Sequence, residues 1–342
     1  MHSHFAIEAA LGFGPIILFL LGLLYLDSFK LVDVTTVMLV VAAGACMAIG
    51  SYFLSGPFMD LFHMNYPHYS RYLAPVLEEC LKASVIIFLF WRNRVGFMVD
   101  AAILGLAVGA GFSLFENLYY AYVFPQANVG VWMVRGLGTA IMHGGVTAIF
   151  AVTAQGISER HARFQALNYI PGLILAISLH SIFNQFTQWP IPSAAATVIV
   201  LPMVLLFIFD KSEHEVHDWL IHDYETHEHL LADIRTGKFA HSEGGRFIAD
   251  LASKFSSETA SDIFEYLRLH TELVLQAEKL LLARESGESF TAGDDVRYEF
   301  YNLHALEQKI GKTAMLTIWP HLKFNHQELW ELHELEGHSR HA

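Results

Sequence analysis

Seven stretches of this chain are apolar for roughly 18–25 residues at a time, the length at which a helix carries its hydrogen-bonded backbone across a bilayer. They are Phe5–Leu26, Val34–Leu54, Ala74–Trp91, Val95–Phe115, Val131–Gly156, Tyr169–Phe186 and Ser193–Phe209. The fold class they predict is all-α: a polytopic membrane bundle of about seven spanning helices. The first run has no basic segment before it and exceeds the roughly 7–15-residue apolar core of a signal peptide, so it is read as a retained helix.

Beyond Phe209 the chain changes character. Residues 1–209 hold 8 Lys and Arg against 9 Asp and Glu, whereas residues 210–342 hold 13 against 25. The formal net charge of −13 therefore belongs almost wholly to the tail. Two domains follow, 1–209 in the membrane and 210–342 as an acidic soluble helical domain. Apolar residues at Ile263, Leu267, Val274 and Leu281 keep helical spacing, with Gly287 placed to end that helix. No cluster of Lys or Arg exists to bind phosphates, which excludes nucleic acid as a partner. Cys46 and Cys80 both lie inside apolar runs, so there is no disulfide framework.

Orientation comes from the loops. Lys30, Arg92, Arg94, Arg160, Arg163 and Lys211 fall on one side of the membrane, and Arg71 and Arg135 on the other. The positive-inside rule makes the first side cytoplasmic. This predicts a multi-pass protein of the cell membrane with an extracytoplasmic N-terminus and a cytoplasmic C-terminal domain. An acidic domain facing anionic headgroups stands off the bilayer, so its expected role is to bind a cytoplasmic protein partner or sense a signal.

A charged side chain at the centre of a spanning helix costs about 2.5–3.5 kcal/mol on insertion scales, so each polar residue inside the runs needs a reason. The third run opens with Glu78, Glu79 and Lys82, the fourth closes on Glu116 and Asn117, the fifth holds His143, and the sixth holds His180 and Asn184. Given alternating helix directions, all lie in the outer half of the membrane, where one site can gather them. Zinc in a hydrolase takes three protein ligands, a set of two histidines and one glutamate among them, with a water in the fourth position. Glu116, His143 and His180 supply such a set. Glu79 is then the expected general base, Glu78 is expected to pair with Lys82 four residues on, and Asn184 is expected to bind the scissile carbonyl. Asp100 is expected to pair with Arg94. The tail histidines His214, His217, His222, His227 and His229 fit no zinc spacing and read as a solvated helix face.

The segments Glu78-Glu79-Cys80-Leu81-Lys82, Phe112-Ser113-Leu114-Phe115-Glu116-Asn117, the lone His143 and His180-Ser181-Ile182-Phe183-Asn184 resemble the four motifs of the PrsW family of intramembrane proteases. That family is related to the CAAX prenyl endopeptidases and the bacteriocin-immunity-associated membrane peptidases. The resemblance covers about residues 70–190. It implies an endopeptidase whose paired glutamates, third glutamate, histidines and asparagine form the active site. It further implies a membrane-bound protein substrate, of the anti-sigma-factor kind in the best-known member, cut from the extracytoplasmic side. The ligand set permits a divalent metal such as zinc or a glutamate-activated water without one. Two rival readings of the same residues are an ion, proton or metal transporter, whose pathway buried Glu, His and Asn also line, and a non-catalytic membrane sensor that signals through the tail.

Overall fold

The computed structural model describes residues 2–27, 29, 31–158, 165–252, 257–290, 295–312, 314–315 and 326–341. Lys30, Arg160 and Arg163, three of the residues that set the orientation, lie outside the described residues. What is described is helical throughout, with no strand among the described residues. The chain divides into two compact units, Met1–Glu213 and His214–Ala342.

The first unit contains α1 (His2–Leu26), α2 (Val34–Leu61), α3 (Ala74–Trp91), α4 (Met98–Val123), α5 (Ile141–Ser158), α6 (Ile170–Gln185) and the first half of α7 (Pro190–Arg235). Local chemistry sets several of these boundaries. Asp33 caps α2 by accepting from the Thr36 amide at 2.9 Å, and Pro75 sits in the first turn of α3, where its missing N–H costs nothing. The fourth apolar run starts its helix at Met98 instead of Val95 because Asp100, three residues in, accepts from the amides of Gly96 and Phe97, each at 2.7 Å. Asp100 is fully buried in that capping role, not engaged in the expected pair with Arg94.

Six helical segments are long and apolar enough to cross a membrane, by length and composition: Ile7–Leu26, Val34–Leu61, Met98–Val123, Val129–Ser158, Ala166–Gln185 and Pro190–Arg235. The expected seventh, α3, forms a helix over the expected 18 residues, but Glu78, Glu79 and Lys82 make it too charged to qualify by composition. Two of those three charges are buried against neighbouring helices.

The centre of the bundle is α4 with α5. The apolar window of α4 is 83% buried, against 22% for that of α1, whose outward side chains are left to lipid. Small residues allow this approach. A Cβ on Gly109 of α4 would lie 2.3 Å from the carbonyl oxygen of His143, and one on Gly111 would lie 1.9 Å from that of Val41 on α2. Gly109 thus sets how near the backbone of His143 comes to α4.

The second unit holds the remainder of α7, then α8 (Glu243–Ala252), α9 (Ser257–Ser286), α10 (Val296–Ile310) and α11 (His326–His341). Its core includes Ile263, Leu267, Val274, Phe300, Leu303 and Leu335. Gly287 takes a φ of +72°, a left-handed conformation open to glycine, and ends α9 as its sequence position suggested.

Gly109→Ala is expected to destabilise the protein by about 1–3 kcal/mol, because the new methyl has only backbone to displace. Gly50→Ala, with nothing within 4 Å of the added carbon, serves as the control that leaves stability unchanged. Thermal unfolding in detergent checks both.

Candidate active site in the membrane unit

Two π-helical turns prepare the site. One, Tyr69–Leu73, leads into α3, and the other, Val134–Ala140, leads into α5. A π turn shifts backbone carbonyls out of the ordinary helical ladder, and such turns recur at functional positions. At the first, the Ser181 hydroxyl donates to the carbonyl of Arg71 at 2.6 Å and the Asn184 amide donates to that of Ser70 at 2.8 Å. These bonds tie α6 to the entrance of α3. Asn184, expected to meet a substrate carbonyl, uses one N–H on this tie.

Beneath that entrance lies Lys82, fully buried. Its ammonium donates to Glu79 Oε1 at 2.5 Å and reaches His143 Nδ1 at 3.1 Å. Both glutamates of α3 are within a helical turn of Lys82, and the structure pairs it with Glu79, where Glu78 was expected. Glu79 is the glutamate that turns inward, only 1% exposed, and a buried carboxylate without a cation would be far costlier than a partly exposed one. The same Oε1 of Glu79 lies 2.7 Å from His180 Nδ1, which donates to it. His180 therefore keeps the lone pair of Nε2 for something else, and Glu78 Oε2 stands 3.9 Å from that nitrogen.

Glu116 makes the second half of the cluster. Its Oε2 is 3.1 Å from the Arg135 guanidinium and 3.2 Å from His143 Nε2. Lys82 has only protons to give. When it donates to His143 Nδ1, the ring proton sits on Nε2 and points to Glu116. Arg135 is fixed three ways: by Glu116, by its Nε donating to Asn117 Oδ1 at 2.7 Å, and by stacking over Tyr120 with 3.6 Å between guanidinium carbon and ring centroid. Asn117 in turn donates to the carbonyl of Gly12 on α1 at 2.7 Å.

Arg135 and Lys82 are the site residues that the sequence reading gave other places, the first in a loop and the second beside Glu78. The signal was present: two inward carboxylates in lipid each require a cation, and these are the basic residues within reach of them. All six expected site residues converge near one end of the bundle. Glu78, Glu79, Glu116, His143 and His180 form one chain of contacts, and Asn184 stands at its rim, bonded to Ser70.

One ligand atom each from Glu78, His143 and His180 lie within 4.8 Å of one another. Two imidazoles and a carboxylate, largely buried, are a donor set suited to a divalent ion, and the Glu79 carboxylate on His180 Nδ1 is the outer support that metal-binding histidines use. The residues present fit a metal once the His143 Nε2 proton is released, and the carboxylate grouped with both imidazoles is that of Glu78. A cavity of about 580 Å³ opens beside the cluster, lined by Tyr120, Phe124, Pro125, Val131, Trp132 and Arg135. It meets the cluster through Arg135.

Comparison with protein families matches residues 33–209 to the family described as PrsW family intramembrane metalloprotease. No curated protein and no solved structure matches the chain.

Removing the buried cation isolates its effect. Lys82→Met is expected to cost about 3–5 kcal/mol, since it leaves the Glu79 carboxylate buried and unpaired. Adding Glu79→Gln to Lys82→Met should recover a large part of that loss. A double-mutant cycle by thermal unfolding measures the coupling, and additive losses would mean that the two residues do not depend on each other.

Proposed function

Since the chain belongs to the PrsW family of intramembrane metalloproteases, we propose that the cluster around Glu78, Glu79, Glu116, His143 and His180 is the site at which it hydrolyses a peptide bond of a membrane-associated protein. The observation that supports this reading most is the convergence itself: polar residues from four helices, each costly alone in lipid, meet in one network.

Each residue has a distinct task in this proposal. Glu78, His143 and His180 would hold a divalent metal, His143 releasing the Nε2 proton that it otherwise points to Glu116, with zinc the ion that the donor set suits best. When bound, such an ion supplies Lewis-acid polarisation of the scissile carbonyl and a water acidic enough to ionise near neutral pH. Glu79 is a positioning residue. Its Oε1 already accepts from Lys82 and His180, and this holds the His180 ring with Nε2 facing the cluster. The general base is Glu116, in place of the Glu79 expected from sequence. Its Oε2 is buried between Arg135 and His143, which fixes its direction, and its side chain is 26% exposed, which leaves the other oxygen for the attacking water. Glu116 takes the proton of the attacking water and returns it to the leaving amine. Asn184, with one N–H on Ser70, offers the other to the carbonyl oxygen. The cavity beside Arg135, walled by Tyr120, Phe124 and Trp132, suits an apolar segment of substrate.

The depth of the cluster bears on the substrate. Glu78 lies four residues into α3, and His180 lies five before the end of α6. At about 1.5 Å per residue, His180 is roughly 8 Å from the end of α6, and Glu78 is roughly 6 Å from the π turn through which the helical chain runs back to Tyr66. With the orientation expected from the loops, those ends are extracytoplasmic, and the substrate is a membrane-bound protein, such as an anti-sigma factor, cut close to the outer surface. Arg135, engaged by Glu116, is not a free loop charge, which sharpens the basic bias toward the other side.

Purified full-length protein in detergent, given a library of membrane-protein peptides, tests the reading. Glu116→Gln and His180→Ala are expected to lower turnover by about 10²–10⁴-fold or more with helicity and unfolding temperature retained. Wild-type turnover by either variant would remove that residue from the chemistry. Orientation has its own check in a background lacking Cys46 and Cys80: a cysteine at Ser3 should react with an impermeant reagent in intact cells, and one at Ser289 should not. The reverse pattern would put the site at the cytoplasmic face.

A further inference from the structure

The C-terminal unit has a second cluster of ionisable side chains that the protease reading leaves unused. Asp223 and His227 lie one turn apart on α7, and Glu278 comes from α9. One ligand atom from each of the three lies within 4.8 Å of the others. His227 Nδ1 is 2.7 Å from Glu278 Oε1 and 3.9 Å from Asp223 Oδ2. Glu331 of α11 is not one of these three, but lies near enough for the charges of Glu278 and Asp223 to act on it.

Three carboxylates brought together with a single imidazole are an unusual thing for a small helical unit to bury. Glu278 and Glu331 have no exposed surface. Both carboxylate oxygens of Glu331, together with Glu278 Oε2 and Asp223 Oδ2, are buried and accept no hydrogen bond. Among the described residues, no Lys or Arg pairs with any of the three. Burial raises the Glu331 carboxyl well above its usual range, and the neighbouring charges of Glu278, Asp223 and Glu328 add to that rise. Buried polar atoms with no partner call for an explanation, and carboxylates from two helices gathered on one imidazole, with a third buried carboxylate beside them, are explained together by a cation.

We propose that Asp223, His227 and Glu278, with the buried Glu331 carboxylate beside them, form a second metal site, for a divalent first-row transition ion, separate from the membrane cluster. The ligand chemistry sets the class of ion. Carboxylate oxygens with one imidazole nitrogen suit zinc, manganese or iron(II), and the lack of any thiolate disfavours soft ions. An ion bound there links α7 to α9 and offsets the mutual repulsion of the carboxylates, the one on α11 included. The histidine spacing that fits no zinc pattern in sequence is no obstacle, because His227 draws its partners from helices about 50 and 100 residues further along the chain.

Metal counting on the full-length protein tests this. Protein in detergent is stripped with a chelator, reloaded with Zn²⁺, desalted, and its zinc per chain determined by mass spectrometry. The double variant His227→Gln/Glu278→Gln is expected to hold one ion fewer than the wild type, whereas His180→Ala retains that ion. Zinc should raise the unfolding temperature of the His180→Ala protein and not that of the protein carrying both His180→Ala and the tail substitutions. Equal zinc in the wild type and the double variant would overturn the proposal. Should the double variant fail to fold, Glu331→Gln, which keeps the shape and removes one charge, decides instead: its affinity for the retained ion should fall by about tenfold or more, and unchanged affinity would overturn the proposal equally. Because the count compares tail variants with membrane-site variants, its result stands whether or not the membrane cluster binds metal.

Discussion

A lysine ammonium with no exposed surface, inside a bundle whose outer faces are apolar, is the constraint on which the membrane unit depends. Removing such a charge from water costs several kcal/mol even after relaxation, and only close counter-charges and hydrogen bonds repay it. Lys82 obtains them from Glu79 and His143. Glu79 then has a second oxygen-side bond to make, and makes it with His180, while His143 turns its other nitrogen to Glu116, which is itself held by Arg135. Satisfying one buried charge thus orients both imidazoles and both inward carboxylates. In the proposed function, stability and reactivity rest on the same network, and the residues that hold the bundle's charges adjoin those assigned as ligands.

The backbone is arranged to let this happen. Glycines at 109 and 111 bring α4 against its neighbours, which puts Phe112 and Glu116 close to His143. The π turns before α3 and α5 release carbonyls and rotate the following residues, so that Arg135 points inward to Glu116 and Ser70 is open to Asn184. Helix α1, which lies before the matched residues 33–209, still contributes the Gly12 carbonyl that anchors Asn117 and, through it, Arg135.

Much of this was legible in the chain. Apolar length gave the helices, and the cost of charge in lipid singled out Glu78, Glu79, Glu116, His143, His180 and Asn184. What could not be read was who pairs with whom. Lys82 is three residues from Glu79 and four from Glu78, and helix geometry allows either. Only the position of His180, a hundred residues further on, decides between them. Arg135 looked like a loop charge because a π turn cannot be seen in an apolar pattern. The tail cluster was hidden for the same reason: its histidine is ordinary in sequence, and its carboxylates converge only when three helices fold together.

The central claim is that the membrane network hydrolyses peptide bonds with water activated at Glu116. Single-turnover cleavage of a membrane peptide in ¹⁸O-labelled water tests it most directly. The wild type should place one ¹⁸O atom in the new carboxylate of the product, and Glu116→Gln should form labelled product at least about 10²-fold more slowly. Labelled product formed at the wild-type rate by Glu116→Gln, or cleavage by the wild type without label, would contradict it.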